Sequence, residues 1–193
     1  LNIHSIERSG ILKKAVGFME FKSIPVGIES TDEMLKSANV ELLMASPLCP
    51  GKYVSIIAGD VGAVEASIKN GAHVGGIHML ESHVIPNIHP DVLPAMLGAG
   101  EIGDVKSIGI VETINAISSI LIGDICAKAS NVELLEIRIA RGLGGKGFVL
   151  ITGEISSVKM AIQTAQTEMA ESNLITSYSV IASPHKDIAK ILF

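Results

Sequence analysis

Hydrophobic and polar positions along the chain change period several times, and each change predicts an element. Val16, Phe18 and Phe21 mark a β-rich run. A helical segment follows over roughly Val26 to Ala38, where Asp32 and Glu33 precede Lys36 at helical spacing and suit a solvated flank. Val40 to Ala45 predicts a short strand, a Gly-containing loop follows, and Tyr53 to Ala58 predicts the return strand. Asp60 is placed to cap a helix running to Asn70, with Gly71 as its C-terminal stop. A strand near Met79 to Ile85 completes the series.

The series then recurs. Ile108, Ile110 and Val111 open it, a helix is predicted over Ala116 to Ser130, and strands over Val132 to Ile139 and Phe148 to Thr152. A helix from about Ser156 to Glu171 and a strand near Ser177 to Ile181 complete it. The residues themselves repeat. Lys36-Ser37-Ala38-Asn39-Val40-Glu41-Leu42-Leu43 returns as Lys128-Ala129-Ser130-Asn131-Val132-Glu133-Leu134-Leu135. In the same register Gly17, Glu20 and Asp32 fall on Gly109, Glu112 and Asp124. After small insertions Gly51-Lys52 falls on Gly145-Lys146, and Val84, Ile85 and His89 fall on Val180, Ile181 and His185. The period is that of a small domain, far longer than a solenoid repeat, so the chain is a domain duplication. The expected division is an N-terminal extension over 1–14 and domains over 15–100 and 104–193, joined within Leu97 to Lys106. The order β-α-β-β-α-β in each copy predicts an α/β (α+β) fold of two tandem ferredoxin-like units, with helices on one sheet face. Such a fold names no function by itself.

Composition narrows the class. Of 193 residues, 48% are apolar, with no Trp, two Tyr and four Phe, so the core must be aliphatic. A net charge of −5 gives no basic stripe for nucleic acid. Gly, Asp or Lys break every apolar stretch well short of a membrane span. Leu1 to Lys14 lacks the pattern of a secretory signal. Two cysteines, Cys49 and Cys126, are too few for a disulfide scaffold, which suits a reduced, cytosolic protein.

Three stretches in one order carry a family resemblance: Lys36 to Val40, Gly59-Asp60-Val61-Gly62-Ala63-Val64, and Val84-Ile85-Pro86 through His89. Over both copies the chain resembles the shell proteins of bacterial microcompartments, in their tandem-domain, trimeric form known from propanediol-utilisation compartments. The resemblance implies a structural tile and not an enzyme, located in a microcompartment shell in the bacterial cytoplasm. It implies a homotrimer of pseudohexagonal outline, since three chains supply six domains, packed beside other shell proteins. It also places Pro47, Leu48, Cys49, Pro50, Gly51 and Lys52 in a loop at the central axis. The matching loop of the second copy is Arg141, Gly142, Leu143, Gly144, Gly145 and Lys146. Shell-edge positions fall on Lys36, Asn39, Asn87 and His89, and on Lys128, Asn131, Ser183 and His185. The family's edge Arg is missing from both copies, where Asn87 and Ser183 stand instead.

Cys49 is the candidate metal ligand. Pro47 and Pro50 restrict the backbone on either side of it. One thiol cannot hold a cluster, which needs several, and a free Cys is more often a small buried hydrophobe. Threefold symmetry would present the thiol three times at one point, and the resemblance implies a 4Fe–4S cluster there, one per trimer. The fourth iron would lack a cysteine and offer a docking point to a redox partner or encapsulated enzyme. Cys126, inside a helical pattern, reads as a buried structural thiol. The glycines of the second loop suit a pore rim or an anion site. They form no P-loop, because Gly145-Lys146 is not followed by Ser or Thr. His73, His78 and His83 match no zinc pattern, and His89 and His185 suit a structural or edge hydrogen bond. Glu20 and Glu112 suit buried acceptors at subunit contacts. No nucleophile–base pair is defensible. Two competing functions are a cluster-free gated pore for small metabolites and a trimeric enzyme or small-molecule sensor on the same unit.

Overall fold

The computed structural model describes residues 15–98, 105–139 and 142–188. The expected N-terminal extension, Arg141 and much of the expected join lie outside the described residues. Two compact units divide the chain. The first runs to Ile88 and takes in residues 142–145; the second begins at His89.

In the first unit the elements are β1 (Ala15–Phe21), α1 (Ile24–Ser37), β2 (Val40–Leu48), β3 (Lys52–Gly59), α2 (Val61–Gly75) and β4 (Met79–Ile85). They form an antiparallel sheet of order β2-β3-β1-β4. The second unit opens with α3 (Val92–Leu97) and then repeats the pattern: β5 (Ser107–Thr113), α4 (Ser118–Ala129), β6 (Val132–Ile139), β7 (Gly147–Gly153), α5 (Ile155–Glu168) and β8 (Ile175–Ile181). Its sheet order is β6-β7-β5-β8. Both units carry the expected four-stranded α+β fold. Even the irregularities repeat: β2 shifts register between Leu42 and Met44, and β6 between Leu134 and Glu136.

The repeated glycines have a steric cause. A Cβ at Gly17 would stand 2.7 Å from Val64 and 2.8 Å from Ile68, so only glycine lets α2 settle on β1. Gly109 does the same for α5, with Val158 at 2.7 Å. The first core joins Met19, Phe21, Met34, Tyr53, Ile57, Val64 and Ile68. Each such apolar side chain contributes about 1.5–3 kcal/mol on burial. Buried hydroxyls tie the layers together: Ser30 donates to Gly71 O (3.0 Å), Ser67 to Met34 O (2.8 Å), and Thr31 bonds Ser55.

Two sequence expectations need correction here. Gly71 does not stop α2, which continues to Gly75 and ends at Gly76 in a left-handed turn (φ 46°). Gly71 is instead a contact point, because a Cβ there would meet Met34 Cγ at 2.5 Å. Asp60 stands at the N-cap of α2, but its side chain makes no capping hydrogen bond.

Candidate functional site

The hairpin between β2 and β3 builds the site. Leu48 pairs with Lys52, leaving Cys49, Pro50 and Gly51 as the turn. Gly51 takes φ 79°, which a side chain would resist, and Cys49–Pro50 is cis. Leu48 is buried and anchors the turn, whereas Pro47, Cys49, Pro50 and Gly51 are exposed. The thiol is thus carried at the tip of a closed hairpin on a rigid strand pair.

Behind the tip, Lys52 Nζ lies 2.6 Å from Glu20 Oε1, and Glu20 is fully buried. A buried carboxylate requires such a partner, since an uncompensated charge would cost several kcal/mol, on the order of 3–5. Lys52 Nζ also donates to Gly145 O at 3.4 Å. Gly145 has φ 90°, and a Cβ on it would approach Lys52 Nζ to 3.0 Å and Pro50 Cδ to 3.2 Å. Gly145 therefore rests against the Cys49 hairpin, and its missing side chain permits it. Gly142, Leu143 and Gly144 complete the described part of this loop, with Gly142 and Gly144 also at positive φ.

The second copy repeats the ion pair in a more open setting. Lys146 Nζ lies 2.8 Å from Glu112 Oε1, and Thr176 donates to the same oxygen at 2.7 Å. These bonds, Lys146 first, hold the Glu112 carboxyl below its usual range. Glu20 fits the expectation of a buried acceptor, bonded within its own unit; Glu112 is only partly covered. Neither pair was recognised from sequence. The signal was present, because both Glu and both Lys recur at matching positions.

The edge positions are arranged as parallel sets. Lys36 pairs with Asp32, and Lys128 with Asp124 at 2.6 Å. Asn39 and Asn131 are exposed in the turns entering β2 and β6. Asn87 takes the left-handed φ of 53°, and Ser183 is exposed. His89 Nδ1 accepts from the Asp91 N–H at 3.4 Å, and His185 Nδ1 from the Asp187 N–H at 3.3 Å. Asp124, buried, accepts the His89 N–H at 2.7 Å, a contact the sequence did not reveal.

Cys126 is fully buried, its thiol pushed up to about 12 by desolvation and directed at Ala161 O (3.8 Å). His83 on β4 is held below the ordinary histidine value, chiefly by burial, against the opposing pull of Glu81 at 3.2 Å. Among the described residues no group of three or more His, Cys, Asp or Glu could hold a metal ion. Cys49 is one exposed thiol, fewer than the several ligands an iron–sulfur cluster needs.

Residues 15–88 and 107–184 each match the BMC domain. The chain belongs to this family, the shell proteins of bacterial microcompartments. Among individual relatives, the bacterial microcompartment shell protein PduT of Citrobacter freundii is 40% identical over 177 residues, covering 92% of this chain and 96% of the relative. The shell protein PduA of the same organism is 40% identical over 84 residues, covering 42% of this chain and 88% of its own. A crystal structure of a microcompartment protein from Desulfitobacterium hafniense superposes with a TM-score of 0.82 at 40% identity, covering 92% of this chain and 98% of that one.

Proposed function

We propose that the chain is a structural tile and not an enzyme: a homotrimer whose six BMC domains fill one hexagonal position in the shell, with a 4Fe–4S cluster on the threefold axis. The observation that carries this reading is the exposed Cys49 at the tip of the β2–β3 hairpin, braced by Lys52, Glu20 and Gly145. The likeness to PduT over nearly the whole of both chains supports it. Cys49 from three copies would hold the cluster, which when bound supplies one-electron transfer between the two sides of the shell. Pro47 and Pro50 limit the hairpin's freedom. The same hairpin without iron would line a small-metabolite pore, the second reading.

Iron content separates them. Wild type purified without oxygen is expected to be brown, to contain iron, and to give an EPR signal on reduction. Cys49→Ser is expected to remain an oligomer with no iron, because a hydroxyl substitutes poorly for a soft thiolate. Equal iron in both proteins would refute the ligand assignment. Wild type free of iron would favour the pore.

A further inference from the structure

Equivalent glycines in the two copies have unequal surroundings. Gly51 and Gly145 match by the repeat, and both take positive φ, 79° and 90°. A Cβ on Gly51 would meet nothing within 4 Å, whereas one on Gly145 would stand 3.0 Å from Lys52 Nζ and 3.2 Å from Pro50 Cδ. Gly142 and Gly144, at φ 74° and 62°, resemble Gly51 and face open space among the described residues. Positive φ accounts for Gly142 and Gly144. It does not account for the close contact that Gly145 makes.

The packing of the loop points the same way. By sequence it joins β6 to β7 of the second copy, yet residues 142–145 pack with the first unit. The two ion pairs show the same asymmetry. Lys52 donates to the Gly145 carbonyl as well as to Glu20, and the two side chains are 18% and 0% exposed. The matching Lys146 and Glu112 are 47% and 38% exposed. An ammonium has three donors, and Lys52 spends two of them tying β1 to the loop. Pro50 is peptide-bonded to Cys49, and the pairing of Leu48 with Lys52 closes the turn. In a turn of three residues a shift of Pro50 or Lys52 passes directly to the Cys49 backbone.

We propose that Gly145 and Lys52 are positioning residues for Cys49, so that the loop of the second copy sets the placement of the thiol carried by the first. The proposal rests on the reading of Cys49 as the ligand and adds the element that aims it. The device works by contact. At Gly145 the chain omits a side chain, and its carbonyl and α-carbon close on the hairpin. The loop is then a lever within one chain, and a change in its conformation reaches the thiol.

The test compares Gly145→Ala with Gly144→Ala in the full chain. Both place a side chain at positive φ and carry the same kind of backbone strain. Only Gly145→Ala adds a methyl against Lys52 and Pro50. In iron-free protein the rate of Cys49 alkylation by a maleimide is followed by peptide mapping. In protein prepared without oxygen the EPR spectrum of the reduced cluster is recorded. Gly145→Ala is expected to change the alkylation rate at least ~5-fold, the low end of what overpacking causes, and to shift the g values. Gly144→Ala is expected to match wild type in both, with circular dichroism and sedimentation unchanged in either variant. Glu20→Gln with Lys52→Met removes the ammonium and its buried carboxylate together, and is expected to change the alkylation rate as well. Like behaviour of the two alanine variants, both changed or both unchanged, would overturn the proposal. Should Gly145→Ala fail to fold, a wild-type alkylation rate in the double variant would overturn it instead. Wild type without iron would overturn the cluster reading alone, because the alkylation rates still decide the lever.

Discussion

At the residue scale the recurring positions are of two kinds. Gly17 and Gly109 recur because a helix crosses a strand at each, and Glu20–Lys52 and Glu112–Lys146 recur because each Lys is placed to pair with its Glu. These were visible as identities in the sequence, but their cause was not, since no spacing rule links residues about thirty apart. Gly71 was misread for a related reason. A glycine after a helical run suggests a stop, yet here it is the point where α2 meets Met34 and Met19. Gly71→Ala is expected to destabilise the protein by about 1–3 kcal/mol through overpacking, softened by the flexibility of the methionines. Urea unfolding should show a lowered midpoint with an unchanged slope; an unchanged midpoint would mean the helix pair is loosely packed.

At the element scale the hydrophobic pattern located the strands and main helices of the two repeats, with the end of α2 placed five residues short. It failed at α3 and at the different coverage of α1 and α4. Pattern reports which face is apolar, not what lies on it: α4 carries Leu121, Ile122 and Ile125 where α1 carries Glu29, Ser30 and Glu33, a wider apolar surface whose cover the pattern does not name. The strand β4 carries a further consequence. His83 shares its face with Glu81 and, across β1, with Glu20, which bonds Lys52; Phe18 stands directly opposite. Burial lowers the folded-state value of His83, so between that value and the ordinary one, near 6.5, the unfolded chain binds the proton and the folded chain does not. Stability is therefore expected to fall as pH drops from about 6.5 toward the lowered folded value. His83→Gln should flatten that slope in thermal melts taken from pH 7 to 5. An equally steep slope in the variant would assign it elsewhere.

At the scale of the whole molecule, duplication and family membership were legible because they rest on long ordered matches. The proposed trimer is implied only by resemblance, since one chain holds no symmetry axis. The two copies have diverged where a symmetric tile would need them alike. The first hairpin is a tight turn bearing a thiol; the second loop is longer, rich in glycine and without cysteine. In a ring of three chains this difference would place like loops at alternate positions, three thiols among three glycine loops. Asn87 and Ser183 stand where the resemblance implies an edge Arg, and neither side chain could supply its bidentate donor.

The most direct measurement is native mass spectrometry of protein prepared without oxygen. It is expected to give one dominant species with the mass of three 20.2 kDa chains plus a single 4Fe–4S cluster, and the same species without the cluster in Cys49→Ser. Bare monomers, or a wild-type trimer whose mass leaves no room for iron, would contradict the axial cluster.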